Sequence, residues 1–454
     1  MGKNNVVFII PMLHGHANIT LKIARTLQNK GFDVYYAGSV QLIRFTLKNN
    51  FKLFLLHTLP IHELSFKHFT QTGIKDWLAI VQKNKLFNDY LTRKNELKDL
   101  IDKLQPSVIF LDEFCYFDYV ILSSLSANFK IYILQSKMGM YSNEKIPPGN
   151  FYGFPNKFTK YLWRFTLLRN KLKRIYRSGI FAGQSLERLS KKILNTEQVK
   201  TSVSFNHKKI FAPSFIGVPE LLLYPPEFDF PNSAPLSWQQ QLGPCVEFER
   251  KEIITDNLKN FIEKGNSEPS NRIIYCSLGT LTDIHLGQKT LKTEFINKCF
   301  QIATKNPKYY FIISSGDDLS KEVDGQNFTE NALVLNFAPQ IFILKRADLF
   351  LTHGGPNSIF EGIYTETPML IFPLNKKWDQ NGAAARAVYH KVGIKANITD
   401  SILKIEEQIY TLLSDKSYME AIVDMAKKKK QKYTDAYFSD QLDKIISNEN
   451  GFEK

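Results

Sequence analysis

Cysteine is scarce: Cys115, Cys245, Cys276 and Cys299 are the only four in 454 residues, and no two stand at Cys-x-x-Cys spacing. That pattern argues against a disulfide-stapled scaffold and the common zinc frameworks, and it reads as a reduced, cytoplasmic, metal-free chain. No uncharged apolar run approaches 20 residues, so no membrane-spanning helix is expected. The first apolar run, Val6 to Leu13, is short, contains Pro11 and lacks a small-residue cleavage site, so no secretory leader is expected. Asp-x-Asp is absent, and His57, His62, His68, His207, His285 and His390 have no partner at metal-ligand spacing. The expected metal count is therefore none. A formal net charge of +15 would suit nucleic acid, an anionic membrane or an anionic ligand. The charge is spread along the chain with no zinc-finger, RRM or helix-turn-helix pattern beside it, so nucleic acid is not an expected partner.

What is present is a globular composition, 43% hydrophobic and 13% aromatic, in a chain long enough for two or three domains. The most informative stretch runs from Phe337 to Gln380. An apolar strand, Ala347 to Thr352, leads into the turn His353-Gly354-Gly355, then a helical pattern from Pro356 to Tyr364, then a second strand from Met369 to Phe372. This is a βαβ unit with a glycine turn at the carboxyl end of its first strand, where open parallel sheets bind ligands. Pro356 suits the first helical turn, where its missing N–H costs no helical hydrogen bond. Two glycines admit a ligand close to the backbone, and the helix start offers free N–H groups and the positive dipole end to a diphosphate. Asn357 and Glu361, four apart, share a helix face.

A second βαβ opening lies at the amino terminus. Val6 to Pro11 reads as a buried strand, Asn18 to Lys30 as an amphipathic helix stopped by Gly31, and Asp33 to Ala37 as the next strand. Its turn holds one glycine instead of three, so it is no phosphate cradle and presents imidazoles, His14 and His16, at the top of the sheet. Pro106 to Asp112 is a buried strand ending in an acid. A carboxylate there could hold one nitrogen of an imidazole while the other takes a proton.

These residues resemble the signature of the family-one, UDP-dependent glycosyltransferases, which include plant UDP-glycosyltransferases and bacterial macrolide and carotenoid glycosyltransferases. The matching elements are Phe337-Ala338-Pro339-Gln340, Thr352-His353-Gly354-Gly355, Asn357-Ser358 with Glu361, and Asp379-Gln380. The resemblance implies that Phe337, Ala338 and Gln340 hold the base and Glu361 the ribose. It gives the diphosphate to His353, Gly354, Gly355, Asn357 and Ser358, and the sugar to Asp379 and Gln380. It adds Ser277, Gly279 and Thr280, after the strand Arg272 to Cys276, as further diphosphate and sugar contacts. It puts His16, and not His14, at the catalytic base, with Asp112 orienting it and Glu113 as the neighbour that could be confused with it. The plant signature has Trp where Phe337 and Pro356 stand, which leaves the base open between uracil and thymine.

The fold implied is α/β, two Rossmann-like domains facing a central crevice, the GT-B type. Expected bounds are 1–230 for an acceptor-binding domain, 231–270 for an irregular, polar linker, 271–417 for the nucleotide-sugar domain and 418–454 for a helical tail packing back on the first domain. The expected reaction is inverting, metal-independent transfer of a hexose, glucose first, from a UDP-sugar to a hydroxyl of a lipophilic small molecule. No cofactor is implied beyond the UDP-sugar donor substrate. Two alternatives stay open: a catalytically silent homologue that activates a partner enzyme, and another nucleotide-sugar enzyme on this fold, such as an epimerase. The aromatic and basic segment 156–177 could lie on an anionic bilayer as a peripheral contact or receive a greasy acceptor. The preferred reading is a core-facing helix whose Lys and Arg snorkel.

Overall fold

The computed structural model describes residues 4–11, 14–58, 85–125, 128–180, 186–196, 204–211, 214–279, 289–316, 329–375 and 378–447. Thr280, one of the expected diphosphate contacts, lies outside them, as do His62, His68 and His285.

Strands that are apolar at nearly every position, such as Val108–Asp112 with all five residues buried, can only sit in a sheet covered on both faces. Two parallel sheets of this kind carry the fold. The first contains β1 (Asn5–Ile9), β2 (Asp33–Gly38), β3 (Lys52–Leu55), β4 (Val108–Asp112), β5 (Lys130–Gln135), β6 (Glu220–Leu222) and β7 (Gln239–Gln241), in the order β3-β2-β1-β4-β5-β6-β7. The second contains β8 (Arg272–Ser277), β9 (Tyr309–Ser314), β10 (Ala332–Leu335), β11 (Leu349–Thr352), β12 (Met369–Ile371) and β13 (Gly393–Lys395), in the order β10-β9-β8-β11-β12-β13. Strand order reverses between β1 and β4 in one sheet and between β8 and β11 in the other. Those two points open ligand crevices beyond the strands' carboxyl ends. Ile9 pairs with Leu111 at the first, and Ser277 with Thr352 at the second.

The helices that matter for the site are α1 (His14–Asn18), α2 (Leu21–Asn29), α3 (Leu42–Asn49), α4 (Thr159–Ile180), α5 (Gln340–Leu344), α6 (Pro356–Tyr364), α7 (Gln380–Tyr389), α8 (Lys416–Lys432) and α9 (Asp435–Ser447). The carboxyl-terminal pair joins the halves. Ile422 and Ala426 of α8 belong to the second half's core, while Phe438, Leu442 and Ile445 of α9 belong to the first half's. Tyr433, between them, is buried in the first core, and Tyr132 Oη donates to the Ile445 carbonyl at 2.9 Å. The stretch read as tail thus packs on both halves in turn.

The stretch read as linker contains β7, which extends the first sheet; its Gln-Gln-Gln sequence has no apolar alternation to announce a strand. Its flanks are shared as well, with Leu242 and Cys245 in the first core and Val246 in the second. The halves also meet backbone to backbone. The Gly382 N–H donates to the Gly149 carbonyl at 3.1 Å, and a Cβ on Gly382 would lie 2.0 Å from that oxygen. Beside this contact Arg386 pairs with Asp229 at 2.6 Å, both buried.

The segment 156–177 departs from its preferred reading. Trp163, Thr159 and Thr166 face inward, but Phe158, Tyr161, Phe165, Leu168, Leu172 and Ile175 are exposed. A core-facing helix would have buried the larger apolar set, and α4 buries the smaller one.

Lys429 on α8 is 2% exposed, and burial, opposed by Glu227, lowers its ammonium from 10.5 to about 8. The folded chain then holds fewer protons than the unfolded chain between about pH 8 and 10.5, so this group makes stability rise with pH in that window. Lys429→Met is expected to raise Tm at pH 7 by a few degrees, and its advantage over the parent should shrink as pH climbs to 10. Thermal melts of both proteins across that range check it; a constant difference would contradict it.

Candidate active site

α1 is the next described element after β1, and it places His16 at the carboxyl end of the first sheet beside Asp112, the last residue of the adjacent β4. There His16 Nδ1 lies 2.7 Å from Asp112 Oδ2. Asp112 Oδ1 accepts from the Phe114 N–H at 2.9 Å. Burial would raise the Asp112 carboxyl, but His16, the Phe114 N–H and Lys137 outweigh it and hold the group below its ordinary range. An ionised carboxylate can only accept, so Nδ1 carries the proton and Nε2 is the ring nitrogen able to take one. Glu113 does something else: it pairs with Lys137, and both are buried. The two adjacent acids are thus told apart by their partners.

An aromatic wall runs away from the imidazole. Phe114 lies 4.9 Å from the His16 ring, Trp378 5.9 Å from Phe114, and Phe211 6.0 Å from Trp378, centroid to centroid. Lys137 Nζ sits 4.3 Å from the Phe114 ring centre. Trp378 directly precedes Asp379-Gln380 in the signature stretch, but the part that Lys137, Phe114, Trp378 and Phe211 play is revealed only by their packing.

Across the crevice, the second sheet brings two turns side by side. Gly279, at φ +83°, and Gly355 both face the His353 ring: a Cβ on Gly279 would lie 2.6 Å from Cε1, and one on Gly355 2.7 Å from Nε2. Gly354 is at φ +82°, a conformation that favours glycine. Gly355 is the N-cap of α6, with Pro356 in the first turn and no side-chain cap. Its first N–H groups and dipole end point at the crevice, with Asn357 and Ser358 half-buried beside them. Ser277 ends β8 at the same level.

Glu361, one turn further along α6, is 1% exposed. Its Oε1 accepts from Arg250 Nη1 at 2.5 Å and Asn357 Nδ2 at 3.0 Å, and its Oε2 accepts from Gln340 Nε2. Gln340 Oε1 in turn accepts from Tyr275 Oη at 3.2 Å. Arg250 Nε also donates to Glu252 at 3.0 Å, whose carboxylate accepts from the Ile341 and Phe342 N–H groups that open α5. Arg250 and Glu252 lie in the stretch read as linker, and the sequence reading missed them. Phe337 is 50% exposed, with the Arg44 guanidinium of α3 5.6 Å from its ring centre, and Ala338 packs on the second core.

Asp379 and Gln380 stand at the start of α7. Gln380 Oε1 accepts from the Leu374 and Asn375 N–H groups at 2.7 and 3.2 Å, so its Nε2 is the end able to serve a ligand, as a donor. Asp379 is 8% exposed, and its Oδ2 has no hydrogen-bond partner among the described residues. Burial raises its carboxyl, with Lys137, Glu113 and His16 among the charges acting on it. A buried acceptor without a donor is the kind of atom a ligand hydroxyl satisfies. Asp379 also stands within electrostatic reach of His16, which ties the two halves of the site together.

Residues 286–437 match the glycosyltransferase family 28 C-terminal domain. Among relatives, an uncharacterised UDP-glucosyltransferase YojK of Bacillus subtilis is 33% identical over 156 residues, 33% of this chain and 35% of that protein. The zeaxanthin glucosyltransferase of Pantoea ananas is 27% identical over 43% of this chain and 42% of its own length. The chain thus spans well under half of these two, but it aligns over 82% of its length with 80% of the uncharacterised UDP-glucosyltransferase YdhE of Bacillus subtilis, at 26% identity. Among solved structures, the glycotransferase of kitacinnamycin superposes with a TM-score of 0.68 at 18% identity, covering 98% of each chain. The calicheamicin glycosyltransferase CalG4 gives 0.65 at 15%, covering 98% of this chain and 99% of that one. These structures share the GT-B fold with this chain, and the family model and the relatives make it similar to the UDP-dependent glycosyltransferases.

Proposed function

We propose that this protein transfers a hexose, glucose first, from a UDP-sugar to a hydroxyl of a lipophilic small molecule with inversion at the anomeric carbon. The observation that carries the reading is the 2.7 Å contact between His16 Nδ1 and Asp112 at the switch point of the first sheet. In this mechanism His16 Nε2 takes the acceptor hydroxyl proton as the oxygen attacks the anomeric carbon, and Asp112 holds the ring and stabilises the imidazolium. The bond from the anomeric carbon to the diphosphate breaks, and UDP leaves with the negative charge. The uncapped start of α6, with Asn357 and Ser358, and the turns at Ser277, Gly279 and His353 to Gly355 receive that charge. The family resemblance implies a diphosphate or sugar contact for Thr280 as well. Asp379 and Gln380 hold the hexose, Glu361 the ribose, and Phe337, Ala338 and Gln340 the base. The aromatic wall of Phe114, Trp378 and Phe211 suits an apolar acceptor.

Mass spectrometry of products from UDP-glucose and a panel of hydroxylated lipophiles tests the reaction: an acceptor gaining one hexose supports it, and UDP release without any glycoside counts against it. Because backbone donors and a helix dipole take the leaving charge, turnover should persist in EDTA. Complete loss that magnesium or manganese restores would overturn the metal-independent reading.

A further inference from the structure

α4 buries one face and leaves the opposite one bare. Trp163 is 2% exposed, its Nε1 donates to the Ile146 carbonyl at 2.6 Å, and it packs with Leu167 on Met140 and Ile210. On the far side, Phe158, Tyr161, Phe165, Leu168, Leu172 and Ile175 recur at alternating three- and four-residue steps, which lines them up in one stripe. The least exposed of them, Tyr161, is 53% open and the most exposed, Phe165, 64%. At about 100° per residue, Lys160, Arg164 and Lys171 fall along one edge of the stripe and Arg169 and Lys173 along the other. The helix Thr159–Ile180 contains no acidic residue.

We propose that α4 lies on an anionic lipid bilayer, with the stripe sunk among the acyl chains and the two basic edges at the headgroups. An exposed apolar stripe between cationic edges is what an interfacial helix needs, since apolar burial and attraction to anionic lipid add. A second copy of this chain suits the face less well, because two such helices would bring their basic edges together in a molecule already at +15. The position of α4 gives the contact a use, which rests on the transferase reading. Phe211 packs on the Trp163 and Met140 cluster beneath α4 and stacks on Trp378, the wall that ends at His16. An acceptor dissolved in the bilayer would meet that wall beside the docked helix.

Flotation of the full chain with vesicles tests the proposal, using phosphatidylcholine alone or mixed with phosphatidylglycerol. The parent should float with the mixed vesicles and bind pure phosphatidylcholine roughly tenfold less or weaker. Phe165→Ser/Leu168→Ser/Leu172→Ser and Arg164→Glu/Lys171→Glu should each lose most of the binding. All five side chains are exposed, so thermal melts should match the parent. Turnover of a water-soluble hydroxylated acceptor should be equal in parent and variants, which separates failure of docking from failure of the transferase reading. Flotation of the serine variant like the parent would overturn the proposal, as would equal binding to both vesicle types. So would a parent that ignores vesicles and elutes as a dimer that the serine variant abolishes.

Discussion

His16→Ala is expected to lower turnover by about two to four powers of ten and to leave UDP affinity within a few-fold of the parent. The split follows from where His16 sits. It belongs to the first sheet's switch point, whereas the glycine turns and α6 proposed to receive the diphosphate belong to the second. Removing the imidazole deletes the proposed proton acceptor and touches none of the groups proposed to grip UDP. Asp112→Asn keeps the shape but can no longer only accept, so it loosens control of the tautomer, and a loss smaller than that of His16→Ala is expected. Initial rates with UDP-glucose and calorimetry with UDP measure both quantities. Turnover of His16→Ala within a few-fold of the parent would end the assignment.

Glu361→Ala should weaken UDP binding by roughly ten- to a hundredfold, since a charge-assisted hydrogen bond contributes about 1.5–3 kcal/mol. A second loss accompanies it. Arg250 is buried against Glu361 and Glu252, so the alanine variant leaves its guanidinium with half its anionic company, and removing one partner of a buried pair typically costs about 3–5 kcal/mol. Glu252 remains, so the lower end is expected, read as a fall in Tm. Glu361→Gln keeps the side-chain shape and should lose less stability. Gln380→Ala should spare UDP and weaken only the intact sugar nucleotide, because the place implied for it is at the hexose. Calorimetry with UDP and UDP-glucose separates the two, and equal loss of UDP affinity in both variants would mean that the division of labour is wrong.

Much of this was legible because parallel sheets write plainly. β1 and β4 are continuous apolar runs, and the acid ending β4 and the imidazole after β1 fall at neighbouring strand ends by topology alone. The glycine turn at 353–355 announced itself through two residues that few other types could replace. Arg250, Glu252, Lys137 and Trp378 were illegible, because their places depend on contacts between elements far apart in the chain. The β7 strand was hidden for a different reason: a sheet-edge triplet of glutamines shows no period. Segment 156–177 was misread because a three-four apolar repeat is the same on paper whether it faces a core or leaves one. Only the burial of Trp163 and Thr166 decides which stripe points inward.

The central claim is that His16 and the donor site form one inverting transferase centre, and the anomeric configuration of the product tests it most directly. NMR of the glycoside made from UDP-glucose, whose sugar is α-linked, should show a β-linked glucose formed with one UDP released per glycoside. An α-linked product would contradict a single displacement with His16 as base.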